Sequence, residues 1–197
     1  MRKIVKLALA MTLSASIFFV PTITDAASNY NVQYGDSFWS IANKYGVSVA
    51  SLQKVNNRYN SLLYAGETIT IPTTISASDR ELMARLVHAE AKGESYAGKV
   101  AVATVILNRV DHADFPDNVR DVIYERYPGG YYAFSPVKNG TINQAADFES
   151  KRAVNEAIAF RGKGNGSIYF YNPKTASSNW ITTREVTVTI GNHRFAK

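Results

Sequence analysis

The sequence predicts an α+β protein of two domains, and three residue patterns lead to this prediction. Residues 29–73 carry short patterns in the order strand, helix, helix, strand. Residues 79–160 contain three longer helical patterns with apolar faces. Residues 185–195 alternate polar and apolar side chains around a glycine turn, which is typical of a β-hairpin. We therefore expect a small βααβ domain, a linker at 74–78, and a mostly helical second domain, 79–197, with a small antiparallel sheet.

The small βααβ domain is predicted to begin with a strand over Tyr30–Gln33. Ser37 is the expected N-cap of a first helix, and Gly46 ends that helix. A second helix follows over Ser48–Val55, and Thr68–Ile71 returns as a strand. So small a unit must use most of its apolar side chains for its core. We expect the inward set to comprise Phe38, Trp39, Ile41, Ala42, Tyr45, Val49, Leu52 and Val55.

The N-terminus has the pattern of a secretory signal peptide. Met1–Lys6 contains three basic side chains, and the apolar run Leu7–Val20 follows it. The small residues around Ala26 are typical of a cleavage site, so we expect residues 1–26 to be removed. The apolar run is short for a membrane-spanning helix, although an uncleaved anchor is the alternative. We therefore expect a secreted protein without an integral membrane span after cleavage.

The composition excludes several kinds of chemistry. The chain has no cysteine, so it forms no disulfide and is not a thiol enzyme. Its three histidines show no metal-ligand spacing, and we expect neither a metal nor another cofactor. The formal net charge of +6 fits an anionic extracellular polymer, and we do not expect a nucleic-acid partner. We expect the protein to act as a monomer.

The helix predicted over 79–92 contains the main candidate catalytic residue. Ser78 and Glu81 form a capping-box pattern at its start. At about 100° per residue, Glu90 falls on the apolar face, where burial raises the pKa of a carboxyl group and lets it act as a general acid near neutral pH. The alternative is a structural carboxylate that bonds the backbone or Arg109, and periodicity alone does not decide between them. The apolar stripe consists of Leu82, Met83, Leu86 and Val87.

The middle of the second domain combines two further long helices with an aromatic loop. The segment 99–110 is apolar on nearly every side, which is typical of a buried central helix, and 148–160 is amphipathic. The loop 127–140 contains two adjacent glycines and several aromatic rings that can stack on sugars. The alternative is a loop that folds over the core. We take Phe134 and Ser135 as candidate substrate-binding residues of this loop.

Two segments of the first domain, NYNVQYGDSFWSIANKYGVSVASLQKVNN and LLYAGETITIP, carry a known pattern. They resemble the LysM module over its whole length. The resemblance implies that two loops bind glycans containing N-acetylglucosamine, in peptidoglycan or chitin. By position these loops supply Gly35, Asp36, Ser37 and Phe38 on one side, and Asn60, Leu62, Leu63 and Tyr64 on the other.

The second domain contains the motifs ARLVHAEAKGESYAGKVAVATVILNRV, FPDNVRDVIYE and YFYNPKTASSNWI, in that order. They resemble the catalytic domain of the SleB and CwlJ type cell wall hydrolases, which include the spore cortex-lytic enzymes. The resemblance implies a lysozyme-like fold that cleaves the glycan strand of peptidoglycan, made of N-acetylglucosamine and N-acetylmuramic acid. It implies that Glu90, in Ala89-Glu90-Ala91, is the catalytic acid. It also implies that Tyr169, Tyr171 and Asn172 shape the substrate groove, with a structural role for Asn172-Pro173 as the alternative.

The type of cleavage depends on whether a second carboxylate is available. Glycoside hydrolases use two carboxyl groups, and the remaining candidates are Glu94 and Glu125. A lytic transglycosylase needs only one, because the C6 hydroxyl of the substrate attacks. We therefore hypothesise a lytic transglycosylase that cleaves after N-acetylmuramic acid, with a hydrolase as the alternative. Two rival interpretations are a non-catalytic LysM wall-binding protein and a chitin-directed glycosidase.

Overall fold

The structure, a computed structural model, describes residues 28–58, 60, 62–72 and 75–197. The expected signal peptide, 1–26, and Thr74 of the expected linker lie outside the described residues. Among the residues that are described, no helix is long and apolar enough to cross a membrane. Export and signal cleavage therefore stay predictions.

The first domain has the predicted order of strand, helix, helix, strand. Its elements are β1 (Ser28–Asn31), α1 (Phe38–Tyr45), α2 (Val49–Val55) and β2 (Thr68–Ile71). The two strands pair antiparallel, with Ser28 opposite Ile71. The hydroxyl of Ser37 caps α1 by accepting a hydrogen bond from the backbone N–H of Ser40. Gly46 ends α1 in the left-handed region, at φ 67°.

The core of the first domain differs in its members from the set that the sequence predicts. The expectation that Trp39 belongs to it is wrong, because this side chain is 44% exposed. Trp39 follows Phe38 in α1, and one step of about 100° turns it away from the core face. Val55, the last residue of α2, is also exposed. The buried residues of this core include Val32, Phe38, Ile41, Ala42, Val47, Leu52, Ile69 and Ile71.

Helix α4 lies at the centre of the second domain, as its apolar sequence predicts. The helices are α3 (Ala77–Glu90), α4 (Tyr96–Val110), α5 (Val119–Tyr124), α6 (Ser135–Asn139), α7 (Phe148–Ala159) and α8 (Asn179–Thr182). Helices α3, α5 and α7 pack against α4. The side chains of Val102, Val105, Ile106 and Leu107 are fully buried.

Helix α3 begins two residues earlier than the predicted capping box. Ser76, not Ser78, is the N-cap, and its hydroxyl accepts a hydrogen bond of 3.1 Å from the backbone N–H of Asp79. The same hydroxyl donates to the Asp79 carboxylate at 2.8 Å. These reciprocal contacts satisfy an otherwise free N–H at the helix start, and they explain why the earlier serine is used. The register of the predicted apolar face does not change.

Two small antiparallel sheets complete the second domain. The strands are β3 (Arg126–Tyr127), β4 (Tyr131–Tyr132), β5 (Tyr169–Tyr171), β6 (Val186–Ile190) and β7 (His193–Ala196). Strands β3 and β4 form a hairpin within the aromatic loop, and the other three form a sheet in the order β5-β7-β6. Gly191 makes the turn between β6 and β7. The predicted C-terminal hairpin and the α+β fold class are confirmed.

The first domain packs against the second one. Ala159, at the end of α7, is buried among the core residues of the first domain. On the same side, the backbone of Gly46 lies against Arg80 of α3, where an added Cβ would be 2.7 Å from a guanidinium nitrogen. The two domains therefore share a packed contact in addition to the linker.

Candidate active site

Glu90 is the last residue of α3 and ends its buried face. The four apolar residues of the predicted stripe are buried, and Glu90 itself is half-buried. Burial raises the pKa of Glu90 to about 7, while the hydroxyl and backbone N–H of Ser135 and the charge of Arg109 act in the opposite direction. Near neutral pH such a carboxyl group is present in both protonation states. It can therefore donate a proton and later accept one.

The loop after α5 brings Ser135 to the Glu90 carboxyl group. Phe134 precedes Ser135, and its ring is 3% exposed and stacks on Phe170 at a centroid distance of 6.4 Å. This buried ring anchors the start of α6 and leaves Ser135 exposed beside Glu90. Of the two predicted loop residues, Ser135 therefore lies at the site, and Phe134 supports it from below the surface.

Arg109 reaches the site from the last turn of α4. Its Nε atom donates a hydrogen bond of 2.7 Å to the carbonyl oxygen of Ile168. Its guanidinium lies over the rings of Phe134, Phe115 and Tyr169, at 4.9, 5.1 and 5.7 Å from their centroids. Burial lowers the pKa of Arg109, but an arginine stays charged at any physiological pH. The site therefore contains a fixed positive charge.

A groove of about 560 Å³ opens beside Arg109, and we call it the aromatic groove. Its volume is in the range of small-molecule and sugar sites. Glu90 does not line this groove itself, but Arg109 does, and the charge of Arg109 acts on the Glu90 carboxyl group. Four aromatic side chains and two charged ones line the groove: Phe115, Tyr127, Tyr169 and Trp180, with Arg109 and Glu125.

The two other candidate carboxylates have different positions. Glu94 accepts hydrogen bonds from the backbone N–H of Asn192 at 3.2 Å and from its Nδ2 at 3.0 Å. Glu94 therefore holds the β6–β7 turn. Glu125 lines the aromatic groove, and its Oε2 atom is buried without a hydrogen-bond partner in the described part of the chain. Over those same residues, no three His, Cys, Asp or Glu side chains form a cluster able to hold a metal ion.

The predicted site residues at β5 have three different environments. Tyr169 lines the aromatic groove. Tyr171 does not line it and is 7% exposed, with its ring in the core, so its expected part in shaping the substrate groove stays a prediction. Asn172 has a role in a turn: its Oδ1 accepts from the backbone N–H of Lys174 at 2.9 Å, and its carbonyl oxygen accepts from that of Ala176 at 2.9 Å. The amide of Asn172 is therefore engaged by the protein itself.

The predicted glycan-binding residues of the first domain surround the turn between β1 and α1. Gly35 is exposed at φ 87°, a conformation that favours glycine. The Oδ2 atom of Asp36 accepts hydrogen bonds from the hydroxyl of Tyr30 and from the backbone N–H of Gln33, both at 2.8 Å. Ser37 caps α1. Asp36 and Ser37 thus fix the shape of the turn.

Two predicted apolar contacts of the glycan-binding loops belong to the core. Phe38 is 3% exposed, so its side chain packs in the core and presents little surface to a glycan. Its position is the first of α1, where the inward face begins. Leu63 is half-buried and packs against the same core, with part of its surface open. Binding by the remaining residues of the two loops stays a prediction.

Two residues of the groove, Trp180 and Arg109, are not predicted as site residues by the sequence patterns. Trp180 lies in α8, a single turn without apolar periodicity, and its indole is 51% exposed. Arg109 ends an otherwise apolar helix, and that isolated charge was the available signal. Residues more than fifty positions apart meet in the groove, so local patterns cannot reveal it.

Two family models match the chain. The Cell Wall Hydrolase model (Hydrolase_2) matches residues 93–196, and the LysM domain model matches residues 30–72. Glu90 precedes the first of these ranges, so its assignment depends on the geometry described above.

Curated relatives and solved structures agree with the family matches. The chain is 43% identical over 125 residues to a spore cortex-lytic enzyme of Halalkalibacterium halodurans, covering 64% of this chain and 36% of that protein. It is 39% identical over 163 residues to a spore cortex-lytic enzyme of Bacillus cereus, covering 79% and 61%. The chain thus spans less than two thirds of these relatives. The catalytic domain of the germination-specific lytic transglycosylase SleB from Bacillus anthracis matches with a TM-score of 0.58 at 42% identity, covering 64% of this chain and 100% of that one.

Proposed function

Because this chain belongs to the Cell Wall Hydrolase family, we propose that it is a secreted, wall-associated enzyme that cleaves the glycan strand of peptidoglycan, with Glu90 as its catalytic residue. One observation carries the proposal: a half-buried carboxyl group has a pKa of about 7, and the charge of Arg109, which lines a groove walled by aromatic rings, acts on it. A glycosidase acid needs such a pKa, and aromatic rings bind sugars.

In the proposed reaction Glu90 transfers a proton twice. The protonated carboxyl group gives its proton to the glycosidic oxygen that follows N-acetylmuramic acid, and the bond from that oxygen to C1 breaks. The resulting carboxylate accepts the proton of the C6 hydroxyl on the same sugar while the C6 oxygen bonds to C1. The products are a 1,6-anhydromuramic end and a free hydroxyl on the leaving sugar, and no water is consumed. A pKa near 7 makes both states of Glu90 accessible at neutral pH.

Hydrolysis at the same site is the second candidate, and Glu125 is the observation that favours it. A hydrolase needs a second carboxylate, and Glu125 lines the aromatic groove together with Arg109, whose charge acts on Glu90. Two points favour the anhydro product instead. The similar SleB domain is described as that of a lytic transglycosylase. Glu94, the other carboxylate near Glu90 in the sequence, is engaged by Asn192.

The LysM domain supplies attachment to the same polymer. It is a separate binding unit with its own core, and it packs against the second domain. Binding through LysM raises the concentration of glycan near Glu90, since the second contact becomes intramolecular. We propose that a monomer is sufficient, because both units are present in one chain.

Product analysis of digested walls tests the proposal. Purified vegetative and spore-cortex peptidoglycan are incubated with the protein, and the released fragments are identified by mass spectrometry. We expect 1,6-anhydromuramic ends from the native chain and no cleavage by Glu90→Gln. The control is Glu81→Gln, which removes a surface carboxylate of the same helix that pairs with Lys151 at 3.0 Å.

Each other outcome of this digestion has a defined meaning. Reducing ends without anhydro sugars would replace the transglycosylase by a hydrolase. Cleavage of chitin but of neither wall would support a chitin-directed glycosidase. Wall binding without any cleavage would leave a LysM-dependent binding protein. Full activity of Glu90→Gln would reject Glu90 as the catalytic residue.

A further inference from the structure

The aromatic groove contains features that specify one kind of sugar. We propose that it is a subsite for an N-acetylated hexosamine, in which the indole of Trp180 stacks on the sugar ring while Glu125 and Arg109 hydrogen-bond its acetamido group. The proposal rests on the proposed function for the polymer, and it adds the residues that recognise a ring next to the cleaved bond.

Trp180 has the position and the support that a stacking platform requires. Its indole is 51% exposed and lines the groove. The guanidinium of Arg184 lies over the indole at 4.5 Å from the ring centroid, and Tyr169 packs against it edge to face at 5.0 Å. These two neighbours fix the orientation of the ring. An aromatic surface held in the open beside a groove binds the apolar C–H face of a sugar.

Glu125 and Arg109 leave one acceptor and one donor unused below the groove surface. Glu125 Oε2 and Arg109 Nη1 are buried, and neither has a hydrogen-bond partner in the chain as far as it is described. Within that same part, no ion pair of 4.0 Å or less joins the two side chains. Unpaired buried polar atoms are costly, and because both of these side chains line the groove, we take the two atoms as sites that a ligand in the groove completes.

A secondary amide is the group that satisfies both atoms together. Its N–H donates to a carboxylate oxygen, and its carbonyl oxygen accepts from a guanidinium nitrogen. Sugar hydroxyls can also donate and accept, but the acetamido group presents its N–H and its carbonyl oxygen in one rigid planar unit. Since both atoms are buried, small rotations of these side chains must accompany binding, as is common at interfaces.

The groove is connected to Glu90 by two of its lining residues. Arg109 lines the groove and its charge acts on Glu90, and Ala133 lies two residues before Ser135, which bonds Glu90. A ring bound against Trp180 therefore lies in a groove that is continuous with the surroundings of the proposed catalytic residue. Both sugars of peptidoglycan carry an acetamido group, and the recognised feature is common to them.

Tryptophan fluorescence tests this subsite without using catalysis. The chain has two tryptophans, Trp39 and Trp180. In the variant Trp39→Phe, made together with Glu90→Gln to prevent cleavage, emission reports only on the groove. The probes are tetra-N-acetylchitotetraose and cellotetraose, which have the same linkage but differ in the acetamido group. The matched variant Trp180→Phe with Trp39 retained reports on the LysM domain alone.

We expect a saturable change in Trp180 emission with the N-acetylated tetramer, and at least about tenfold weaker binding of cellotetraose, because a site built for an amide rejects the analogue that lacks it. Adding Glu125→Gln should weaken the N-acetylated tetramer about tenfold and leave cellotetraose unchanged. Glu185→Gln, a surface carboxylate that pairs with Lys197, should change neither.

No saturable response of Trp180, equal affinity for the two tetramers, or no effect of Glu125→Gln would each overturn the subsite. The fluorescence experiment tests the subsite, and the digestion experiment tests the proposed function, so the two can fail independently. If the native chain cleaves peptidoglycan but the tetramer does not change Trp180 emission, the proposed function is supported and the subsite is rejected. If Trp180 emission distinguishes the N-acetylated tetramer from cellotetraose but the native chain cleaves no wall, the subsite is supported and the proposed function is rejected.

Discussion

Glu94 and Asn192 are joined by two hydrogen bonds, which tie the loop after α3 to the turn between β6 and β7. Gly191 precedes Asn192 in that turn, at φ 56°. A Cβ atom at this position would overlap Oε2 of Glu94. This position therefore requires glycine for two reasons. Its backbone has a positive φ, and the Glu94 carboxylate occupies the space that a Cβ atom would need.

Replacing Gly191 should destabilise the second domain. We expect Gly191→Ala to lower the free energy of unfolding by at least about 1 kcal/mol, because alanine is strained at positive φ and its methyl group displaces Glu94. Urea denaturation measures the change. Gly140→Ala is the control, since Gly140 also has positive φ, 80°, but faces open space. If both variants lose the same amount, the contact with Glu94 contributes nothing.

The rate of cleavage should fall as the pH rises through about 7. Glu90 must be protonated for the first step, and its pKa is raised from the ordinary value of 4.5 to about 7. The value of kcat/KM on soluble glycan fragments is expected to be level at lower pH and to decline about tenfold per pH unit above 7. Glu81→Gln should show the same profile. A decline centred near pH 4.5 would mean that Glu90 is not desolvated during catalysis.

The same raised pKa predicts that Glu90 reduces stability at neutral and alkaline pH. Between pH 4.5 and 7 the folded state holds a proton that the unfolded state releases, so the free energy of unfolding falls as the pH rises through this window. The full difference corresponds to about 3 kcal/mol. Glu90→Gln has no charge to desolvate. We therefore expect its melting temperature to exceed that of the native chain at pH 8 and to equal it near pH 4, and equal values at both pH values would contradict the buried carboxyl group.

Local periodicity accounts for much of the fold and for the position of Glu90. The apolar stripe of α3 and the central helix α4 follow from spacing along a helix, and both are found as predicted. The βααβ order of the first domain and the C-terminal hairpin follow from turn residues and period-two alternation. These features depend on neighbours in the sequence, which a single chain displays directly.

The features that local patterns did not reveal are made by distant residues. The start of α3 was misplaced because two serines offer nearly the same cap, and a contact with Asp79 decides between them. The groove joins residues of α4, the aromatic loop, β5 and α8. Tyr171 was assigned to this groove by resemblance, but its hydroxyl is buried without a partner in the described residues. Only the folded chain distinguishes Tyr169 from Tyr171.

The hydroxyl of Tyr171 should be dispensable. It is buried without a partner within the described part of the protein, so removing it relieves a desolvation cost. We expect Tyr171→Phe to keep full cleavage of peptidoglycan and to unfold at the same or a slightly higher urea concentration. Tyr169→Ala, at the groove, should lose activity under the same assay. A large loss of cleavage in Tyr171→Phe, with unchanged stability, would show that this hydroxyl meets the substrate.

Tyr30 provides a test of how Asp36 serves glycan binding in the LysM domain. Hydrogen bonds from the backbone N–H of Gln33 and from the hydroxyl of Tyr30 lower the pKa of Asp36 and orient its carboxylate within the turn. If Asp36 acts by shaping the turn, Tyr30→Phe should weaken binding to insoluble peptidoglycan in the same direction as Asp36→Ala. Sedimentation with the wall, in a Glu90→Gln background that prevents digestion, measures both. Tyr124→Phe, on the surface of the second domain, is the control. Unchanged binding by Tyr30→Phe combined with loss in Asp36→Ala would instead indicate that Asp36 contacts the sugar directly.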